Sequence, residues 1–277
     1  MFIQKLLPLF TLIALSTTGC NAVPNTKGIK YEATIESLQQ YDCPDWFRDA
    51  KFGIYLHWGA YSVAEQGEWY ARRLYDENRP EYKHHVETYG HPSEFGYKDF
   101  IPMWTAENFD PDALLALFKE AGAKYFTPCA VHHDNFDLWD SKYQEWNSVN
   151  MGPKKDLIGM WKEATHKVGL RFGVTTHLSR SYSWLNTANQ SDTNGPMAGV
   201  PYDGAAGEGK GLYPSNDGQS THPRAPFDPP KVWRDNWVKR VQQLVEDYEP
   251  DHLYFDCAVP FRGSDEGQAG MDVIAHF

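Results

Sequence analysis

Apolar residues fall along this chain in two alternating patterns. Four short apolar runs, rich in β-branched and aromatic residues, predict buried strands at residues 51–59, 125–131, 170–178 and 251–257. The longer segments between these runs have apolar residues at every third or fourth position, which predicts amphipathic helices that cover a sheet. Strands that alternate with helices are typical of an α/β protein with a parallel sheet.

Three segments carry strong helix signals. The first begins at Asp110 and Pro111, because an Asp can cap a helix and Pro fits its first turn, and it ends at Gly122. Its predicted apolar face consists of Leu114, Leu117, Phe118 and Ala121. The other two helices are predicted from Pro153 to Gly169 and from Lys231 to Tyr248. Weaker helical patterns lie at residues 32–47, where Pro44 interrupts the pattern, at 75–89, at 97–100 and from 271 onward.

Four strand–helix units with long loops after the strands fit half of a (β/α)8-like, TIM-type barrel. A doubly wound sheet is the alternative, and it usually has a glycine-rich phosphate loop after its first strand. His57-Trp58-Gly59 is not such a loop, so the barrel is favoured. Gly53 inside the first strand indicates close backbone packing.

One long segment interrupts the regular alternation. Residues 186–230 are rich in Gly, Pro, Asn, Asp and Ser, which predicts an insertion on the face where the strands end. Its aromatic residues Tyr202, Tyr213 and Phe227 either line a cleft there or belong to a solvated loop.

Polar residues follow each predicted strand. His57 ends the first strand, His132 and His133 (with Asp134) end the second, His177 ends the third and Asp256 ends the fourth. A lone histidine at a strand end is commonly structural. Histidines at three successive strand ends predict a shared pocket, since the carboxyl ends of parallel strands meet at one face. Asp256 is a candidate nucleophile or metal ligand there, and the alternative is a cap of the following helix.

The composition limits the choice of partner. The 277-residue chain has a formal net charge of −11, which argues against a nucleic-acid partner. Ten Trp and sixteen Tyr suit stacking on sugar rings, although aromatic residues also fill cores. Cys43, Cys129 and Cys257 form an odd set, which argues against a disulfide framework, and no C-x-x-C pair suggests zinc.

The N-terminus has the pattern of an export signal. Lys5 precedes the apolar run Leu6–Leu15, which is too short to span a bilayer, and small residues lead to Cys20. This resembles a bacterial lipobox, although Thr17 stands where Leu is usual, and simple secretion is the alternative. We therefore expect a signal peptide at 1–20, a tether and lead-in at 21–40 and a partial catalytic barrel domain at 41–277. The expected location is the periplasm or the outer membrane, otherwise the medium, with membrane contact only through a lipid on Cys20.

Four motifs then indicate a family. They are Lys-Phe-Gly-Ile-Tyr-x-His-Trp-Gly at 51–59, Glu-Trp-Tyr at 68–70, His-His-Asp-x-Phe-x-Leu-Trp-Asp-Ser at 132–141 and Tyr-Phe-Asp at 254–256. Together they resemble glycoside hydrolase family 29, the α-L-fucosidases. The similarity runs from about Tyr41 to the last residue, and the first and third motifs are long and specific.

The resemblance implies a fold, a reaction and residue roles. The fold is a (β/α)8-like barrel with a fucose pocket, followed by a β-sandwich domain. The reaction is retaining exo-hydrolysis of α-L-fucosyl residues from fucosylated oligosaccharides or polysaccharides, through a covalent glycosyl-Asp intermediate on Asp256, with no cofactor and no metal. The implied substrate-binding residues are His57, Glu68, Trp69, His132 and His133, with weaker roles for His177 and Tyr254. Tyr254 stands where the family often has a Trp against the C6 methyl, and His177-Leu178 stands where many members have Glu-Trp.

The sequence departs from the family at the second carboxyl. A retaining enzyme needs an acid/base, and in the family it lies a few dozen residues beyond the nucleophile. Only 21 residues follow Asp256, and neither Asp265 nor Glu266 matches the family position. We therefore expect a truncated fragment, without half of the barrel and without the β-sandwich, that turns over natural fucosides poorly.

Two other functions remain as alternatives. One is a catalytically inactive fucose-binding lipoprotein, which would share the histidine cluster and lack the acid/base. The other is a metal-dependent barrel hydrolase that uses His57, His132, His133 and Asp256.

Overall fold

The computed structural model describes residues 30–214, 228–257, 261 and 263–277. The predicted signal peptide with Cys20, the tether up to residue 29, and Phe227 lie outside the described residues. Within the described part, no helix combines the length and the apolar character that a membrane crossing requires.

Four parallel strands form one sheet in chain order, which confirms the predicted parallel α/β architecture. They are β1 (Gly53–Leu56), β2 (Tyr125–Val131), β3 (Arg171–Thr176) and β4 (His252–Phe255). The α-helices are α1 (Ile35–Leu38), α2 (Asp45–Ala50), α3 (Tyr70–Arg73), α4 (Pro80–Tyr89), α5 (Tyr97–Met103), α6 (Pro111–Glu120), α7 (Leu157–Lys167), α8 (Ser181–Trp184), α9 (Lys231–Tyr248) and α10 (Gln268–His276). Short 3₁₀ turns lie at Ala60–Ala64, Leu178–Arg180 and Leu185–Asn189.

Capping residues set the helix starts. The Asp110 carboxylate accepts the backbone N–H of Ala113 at 3.0 Å, as predicted for α6. Asp156 accepts from Gly159 at 2.9 Å and starts α7, three residues after the predicted start at Pro153. The helical pattern predicted at 32–47, with its interruption at Pro44, corresponds to two short helices. The first, α1, ends at Leu38, and Pro44 precedes the second, α2.

The buried face of α6 differs from the prediction. Leu115 is fully buried, whereas Leu117 is 58% exposed. Phe118 packs against Phe126 of β2, with ring centroids 5.4 Å apart. This helix has apolar residues around most of its circumference, so periodicity could not select the inner face, and packing against β2 and α7 selects it.

Helix α9 has the buried face that its periodicity predicts, with Trp237, Val241 and Leu244 in the core. It also buries the charged Arg240, which is only 1% exposed. The Arg240 guanidinium pairs with both oxygens of Asp137, in the loop after β2. The helix is therefore fixed to that loop by charge as well as by apolar contact.

Gly53 has the close packing that its place in β1 indicates. A Cβ at this position would lie 2.2 Å from the ring of Tyr125 on the neighbouring strand. On the same face of the sheet, Phe47 of α2 packs against Tyr125 and against His252 of β4, with centroids 5.5 and 4.9 Å apart. The bare α-carbon thus lets the Tyr125 ring lie across β1.

In the described part of the predicted insertion, residues 186–214, most of the segment 193–211 is exposed, as expected of a solvated loop, but its two aromatic residues neither line the cavity nor face solvent. Tyr202 and Tyr213 are buried, at 1% and 7% exposure. The Tyr202 hydroxyl donates to Asp192 at 2.5 Å, and the Tyr213 hydroxyl donates to Asp203 at 2.8 Å. Polar composition indicated exposure, but tyrosine hydroxyls satisfy these carboxylates inside the protein.

Candidate functional site

The carboxyl ends of the four strands border one cavity of about 410 Å³. It is lined by His57, Glu68, Trp69, His132, His133, His177, Arg180, Phe255, Asp256 and Cys257. The structure therefore brings together seven of the eight site residues named from the sequence. They meet because β1 to β4 are parallel and adjacent, so that residues directly after each strand share one edge.

The imidazoles of the cavity form a close cluster. His57 Nε2 lies 3.1 Å from His177 Nε2, and the Tyr55 hydroxyl lies 2.8 Å from the same His177 nitrogen and also contacts His57. The His132 ring lies 4.5 Å from the His177 ring, centroid to centroid. Two lone pairs would repel at the Nε2–Nε2 distance, so one ring carries its hydrogen on Nε2 and the other on Nδ1.

Burial keeps these imidazoles neutral. It lowers the pKa of His57, against the opposing effect of Glu68 and Asp256. Burial lowers the pKa of His132 and of His133 well below the usual value, and neighbouring imidazoles lower both further. The pKa of His177 falls to about 3 for the same two reasons. Each neutral ring offers one donor and one acceptor, which suits a ligand with several hydroxyl groups.

The tautomer of His133 follows from its partner. Its Nδ1 lies 2.9 Å from the backbone carbonyl oxygen of His177. A carbonyl can only accept, so Nδ1 carries the hydrogen and Nε2 carries a lone pair. The loop after β3 thus fixes the hydrogen-bonding character of a residue from β2.

Asp256 directly follows β4 and is partly solvated. Its Oδ2 lies 3.7 Å from His177 Nε2, and its carboxylate is 44% exposed. His177 is neutral, because its burial outweighs the charge of Asp256. The contact is therefore a polar one between a neutral ring and a carboxylate that ligands in the cavity can reach.

An aromatic wall stands beside the imidazoles. The Trp69 ring lies 5.9 Å from His133 and 5.6 Å from the buried Trp184, edge to face in both cases. The Arg73 guanidinium lies 5.6 Å from the Trp69 ring. Glu68 precedes Trp69 and is exposed. The cavity therefore combines an apolar surface with a carboxylate at its rim, as a sugar with polar and apolar faces requires.

Tyr254 is placed differently from the other predicted residues, because it does not line the cavity. Its side chain is 41% exposed and stacks on His252, with ring planes 19° apart. Its hydroxyl donates to Asp256 Oδ1 at 3.4 Å. The described structure thus connects Tyr254 to the site through Asp256.

Asp134, the third residue of the His-His-Asp motif, also lies outside the cavity. It is 2% exposed and accepts a hydrogen bond from the Tyr97 hydroxyl at 2.6 Å. Burial raises its pKa to about 7. Its contacts are with the core beneath the loop that carries His132 and His133, so it supports that loop.

Sequence reasoning missed several residues of the site. Tyr55 was detectable, since strand alternation puts it on the same face as His57 two residues later. Phe255 and Cys257 flank Asp256 and follow from its position. Arg180 had no signal in the sequence, because a 3₁₀ turn after β3 carries it back to the cavity.

Three imidazoles could hold a metal ion. One nitrogen each of His57, His132 and His177 lie within 4.8 Å of one another. The metal site predicted from the sequence also contained His57 and His132. In the structure, His177 completes the set in place of His133 and Asp256. Three histidines with an open position form a known zinc donor set, but the Tyr55 hydroxyl already bonds two of these nitrogens.

The chain is similar to proteins of one family. The family model described as alpha-L-fucosidase matches residues 19–273. Human plasma alpha-L-fucosidase is 36% identical over 236 residues, which are 84% of this chain and 43% of that protein. Human tissue alpha-L-fucosidase is 38% identical over 147 residues, which are 52% of this chain and 31% of that protein.

Solved structures of alpha-fucosidases are also similar to this chain. The Thermotoga maritima alpha-fucosidase in complex with fucose matches with a TM-score of 0.66 and 33% identity, over 89% of this chain and 53% of that chain. The same enzyme with a mechanism-based inhibitor matches with a TM-score of 0.67 and 32% identity, over 89% of this chain and 52% of that chain. The chain spans less than half the length of these human relatives and about half of these solved chains.

Proposed function

The chain belongs to the alpha-L-fucosidase family, and from this premise we propose that it carries the fucosyl-binding pocket and the nucleophile of a retaining exo-α-L-fucosidase. The substrates are terminal α-L-fucosyl residues of oligosaccharides or polysaccharides. The observation that carries the proposal is the meeting of four neutral imidazoles, Trp69 and Asp256 around one cavity.

The chemistry of the cavity supports a polyol ligand. The neutral imidazoles of His57, His132 and His177 supply both donors and acceptors for sugar hydroxyls. His133 donates its Nδ1–H to the carbonyl oxygen of His177, so it offers the Nε2 lone pair as an acceptor. Trp69 offers an apolar surface for the C–H face of the ring. A cavity of about 410 Å³ falls within the range of small-molecule sites, roughly 300–1,000 Å³. Removing one hydrogen-bonding residue such as His132 should weaken fucose binding by roughly 1–3 kcal/mol, since a buried hydroxyl loses its partner.

Asp256 is the proposed nucleophile. A solvated carboxylate at the cavity can attack the anomeric carbon, while the departing oxygen takes a proton from a second carboxyl. In retaining enzymes the two carboxyls lie roughly 5 Å apart. Among the described lining residues, Glu68 is the other carboxylate, and the family resemblance gives it a binding role, so the acid/base is not assigned.

Calorimetry on the purified chain tests the pocket. L-Fucose should bind more tightly than D-galactose, which carries CH₂OH in place of the methyl group and belongs to the opposite series. Equal or reversed affinities would contradict the proposal. Asp256→Asn should keep fucose binding, because Asn preserves the shape. In a chain that hydrolyses an aryl α-L-fucoside, the same change should abolish turnover, because an amide cannot attack as a carboxylate.

The finer architecture is also a proposal. We propose that β1 to β4 are the first four strands of a (β/α)8-like barrel. Their order along the chain and their parallel pairing support it. A crystal structure of a longer form should place a fifth parallel strand beside β4, and an antiparallel neighbour at that edge would contradict the barrel.

The location is proposed from the N-terminal pattern alone. We propose an exported lipoprotein, in the periplasm or at the outer membrane, with Cys20 as the lipidated residue. Labelling with a radioactive fatty acid in a bacterial host should mark the protein and leave the Cys20→Ala variant unlabelled. An exported but unlabelled wild-type chain would support simple secretion instead.

One observation favours a second candidate, a metal-dependent hydrolase. The three nitrogens of His57, His132 and His177 have the mutual distances of a metal site. Metal analysis of the purified chain distinguishes the two functions. Stoichiometric zinc, with loss of hydrolysis after chelation, would support the metal enzyme, whereas fucose binding that is insensitive to chelation supports the proposed fucosidase.

A further inference from the structure

Arg180 introduces a positive charge into a pocket otherwise suited to a neutral sugar. It lines the cavity at the end of the 3₁₀ turn Leu178–Arg180, directly after His177. Its backbone N–H donates to the carbonyl oxygen of His177 at 3.3 Å. The side chains of Ser179 and Cys257 lie 2.7 Å apart and tie the turn to the end of β4. The turn therefore holds Arg180 in a defined position.

The Arg180 guanidinium lacks a carboxylate partner among the described residues, although the chain carries a net charge of −11. Six other described arginines each pair with a carboxylate: Arg48, Arg73, Arg79, Arg171, Arg234 and Arg240. Arg72 donates to the backbone carbonyl oxygen of Trp184. A half-buried guanidinium that pairs with no carboxylate of the described segments, in an acidic protein, retains donors for a ligand.

The charge of Arg180 acts on the cavity. It contributes to the lowered pKa of His133 and of His177, whose rings lie in the same cavity. The hydroxyl groups of a neutral sugar need no full positive charge, because the imidazoles already donate and accept. The planar guanidinium fork instead matches the oxygens of a sulfate ester or a carboxylate.

We infer that this pocket binds an α-L-fucosyl residue that carries a sulfate ester, with Arg180 as the residue that recognises the sulfate. This inference rests on the proposed fucosidase function and names its substrate class. The sulfate belongs to the fucosyl ring, because Arg180 lines the same cavity as the imidazoles. Glu68 and Asp256 repel an anion, so the sulfate lies on the Arg180 side of the cavity.

Calorimetry with L-fucose and each of its monosulfated isomers tests the inference. At least one isomer should bind roughly 10- to 100-fold more tightly than L-fucose, as expected for hydrogen bonds to a charged group. Arg180→Ala should remove this preference, so that the ratio of the affinities for the sulfated isomer and for L-fucose falls to about one. Arg180→Lys should keep part of it, because it keeps the charge and loses the fork. The preference should shrink as salt is added.

The control is Arg79→Ala, which removes the same charge from a side chain that is 53% exposed and pairs with Asp76 outside the cavity. It should leave the preference intact. Two further ligands are measured in the same way: inorganic sulfate alone, and a fucosyl disaccharide with a neighbouring uronic acid. Their affinities distinguish a general anion site from a site that recognises the fucosyl sulfate.

The outcomes distinguish this inference from the function on which it rests. If L-fucose binds and no sulfated isomer binds more tightly, or if Arg180→Ala keeps the preference, the inference is overturned and the fucosidase proposal stands. Tighter binding of the uronic acid disaccharide alone would assign Arg180 to the neighbouring sugar and overturn the inference as well. If neither L-fucose nor any sulfated isomer binds, both fail.

Discussion

At the scale of single residues, the site depends on histidines that stay uncharged. His132, His133 and His177 are each 2–3% exposed, and burial opposes their protonation. A cluster of imidazolium ions would offer only donors and would repel its own members, whereas a cluster of neutral rings offers acceptors as well as donors. Burial thus determines what the cavity can recognise.

The same burial predicts how stability changes with pH. His177 has a folded-state pKa of about 3, below the value of about 6.5 in an unfolded chain. Between these values the unfolded chain binds a proton that the folded chain does not, so acidification lowers the free energy of unfolding. The difference between wild type and His177→Gln in this free energy should therefore fall by roughly 1–2 kcal/mol from pH 7 to pH 5.

Urea unfolding at both pH values measures this difference. The other titrating groups are present in both proteins, so their contributions largely cancel. A pH-independent difference for His177→Gln would show that the ring has the same pKa in the folded protein as in the unfolded chain.

At the scale of elements, the loop after β2 is fixed from behind by α9. Arg240 pairs with Asp137, at 1% and 0% side-chain exposure, and also donates to Asn135 at 2.7 Å. Asn135 and Asp137 lie two and four residues after His133 in the chain. The ion pair therefore helps to hold the loop from which His132 and His133 enter the cavity.

Breaking this pair should be costly. Arg240→Met keeps most of the side-chain volume but leaves the Asp137 carboxylate buried and unpaired, which should lower the free energy of unfolding by roughly 3–5 kcal/mol. Lys239→Met, on the exposed side of the same helix, should change it by less than about 1 kcal/mol. Chemical denaturation measures both changes. If the two substitutions lower the free energy of unfolding equally, the buried ion pair does not contribute to stability.

The pairing of β1 with β2 depends on the missing side chain of Gly53. Gly53→Ala should destabilise the protein by roughly 1–3 kcal/mol, because the new Cβ would lie 2.2 Å from the Tyr125 ring. Removing that ring in Tyr125→Ala should make the glycine replacement much less harmful. A double-mutant cycle measures this coupling, and additive effects would contradict the proposed clash.

At the scale of the whole molecule, buried carboxylates join distant segments. Asp203 accepts hydrogen bonds from Tyr75 and from Tyr213, both at 2.8 Å. Its backbone N–H donates to the carbonyl oxygen of Pro92 at 3.1 Å. The segment after β3 is thereby attached to the region between β1 and β2, and both contribute residues to the cavity.

Removing this junction should loosen the segment. Asp203→Ala removes the shared acceptor of two buried tyrosine hydroxyls. These hydroxyls lie 2.8 Å apart, so one can donate to the other and the second loses its acceptor. The change should lower the free energy of unfolding by roughly 1–3 kcal/mol. It should also expose residues 186–214 to proteolysis before the rest of the chain unfolds. Glu208→Ala is the control, since that carboxylate is 53% exposed and pairs with Lys98. Similar protease resistance in both variants would contradict the proposal that Asp203 attaches this segment to the region between β1 and β2.

The sequence alone determined the order of strands and helices and the positions of the histidines at the strand ends. These features are local, because side-chain periodicity and capping residues act within a few positions along the chain. Parallel strands then bring their last residues together, so the meeting of His57, His132, His177 and Asp256 was predictable once the alternation was recognised.

Only the tertiary structure decided which contacts those residues make. The inner face of α6, the burial of Tyr202 and Tyr213, the entry of Arg180 into the cavity and the absence of Tyr254 from it all depend on segments far apart in the chain. Neutral imidazoles follow from the same cause, because burial is set by everything packed around a side chain. Sequence periodicity describes the apolar face of a single helix or strand, whereas side-chain burial and contacts depend on the segments that pack against that element.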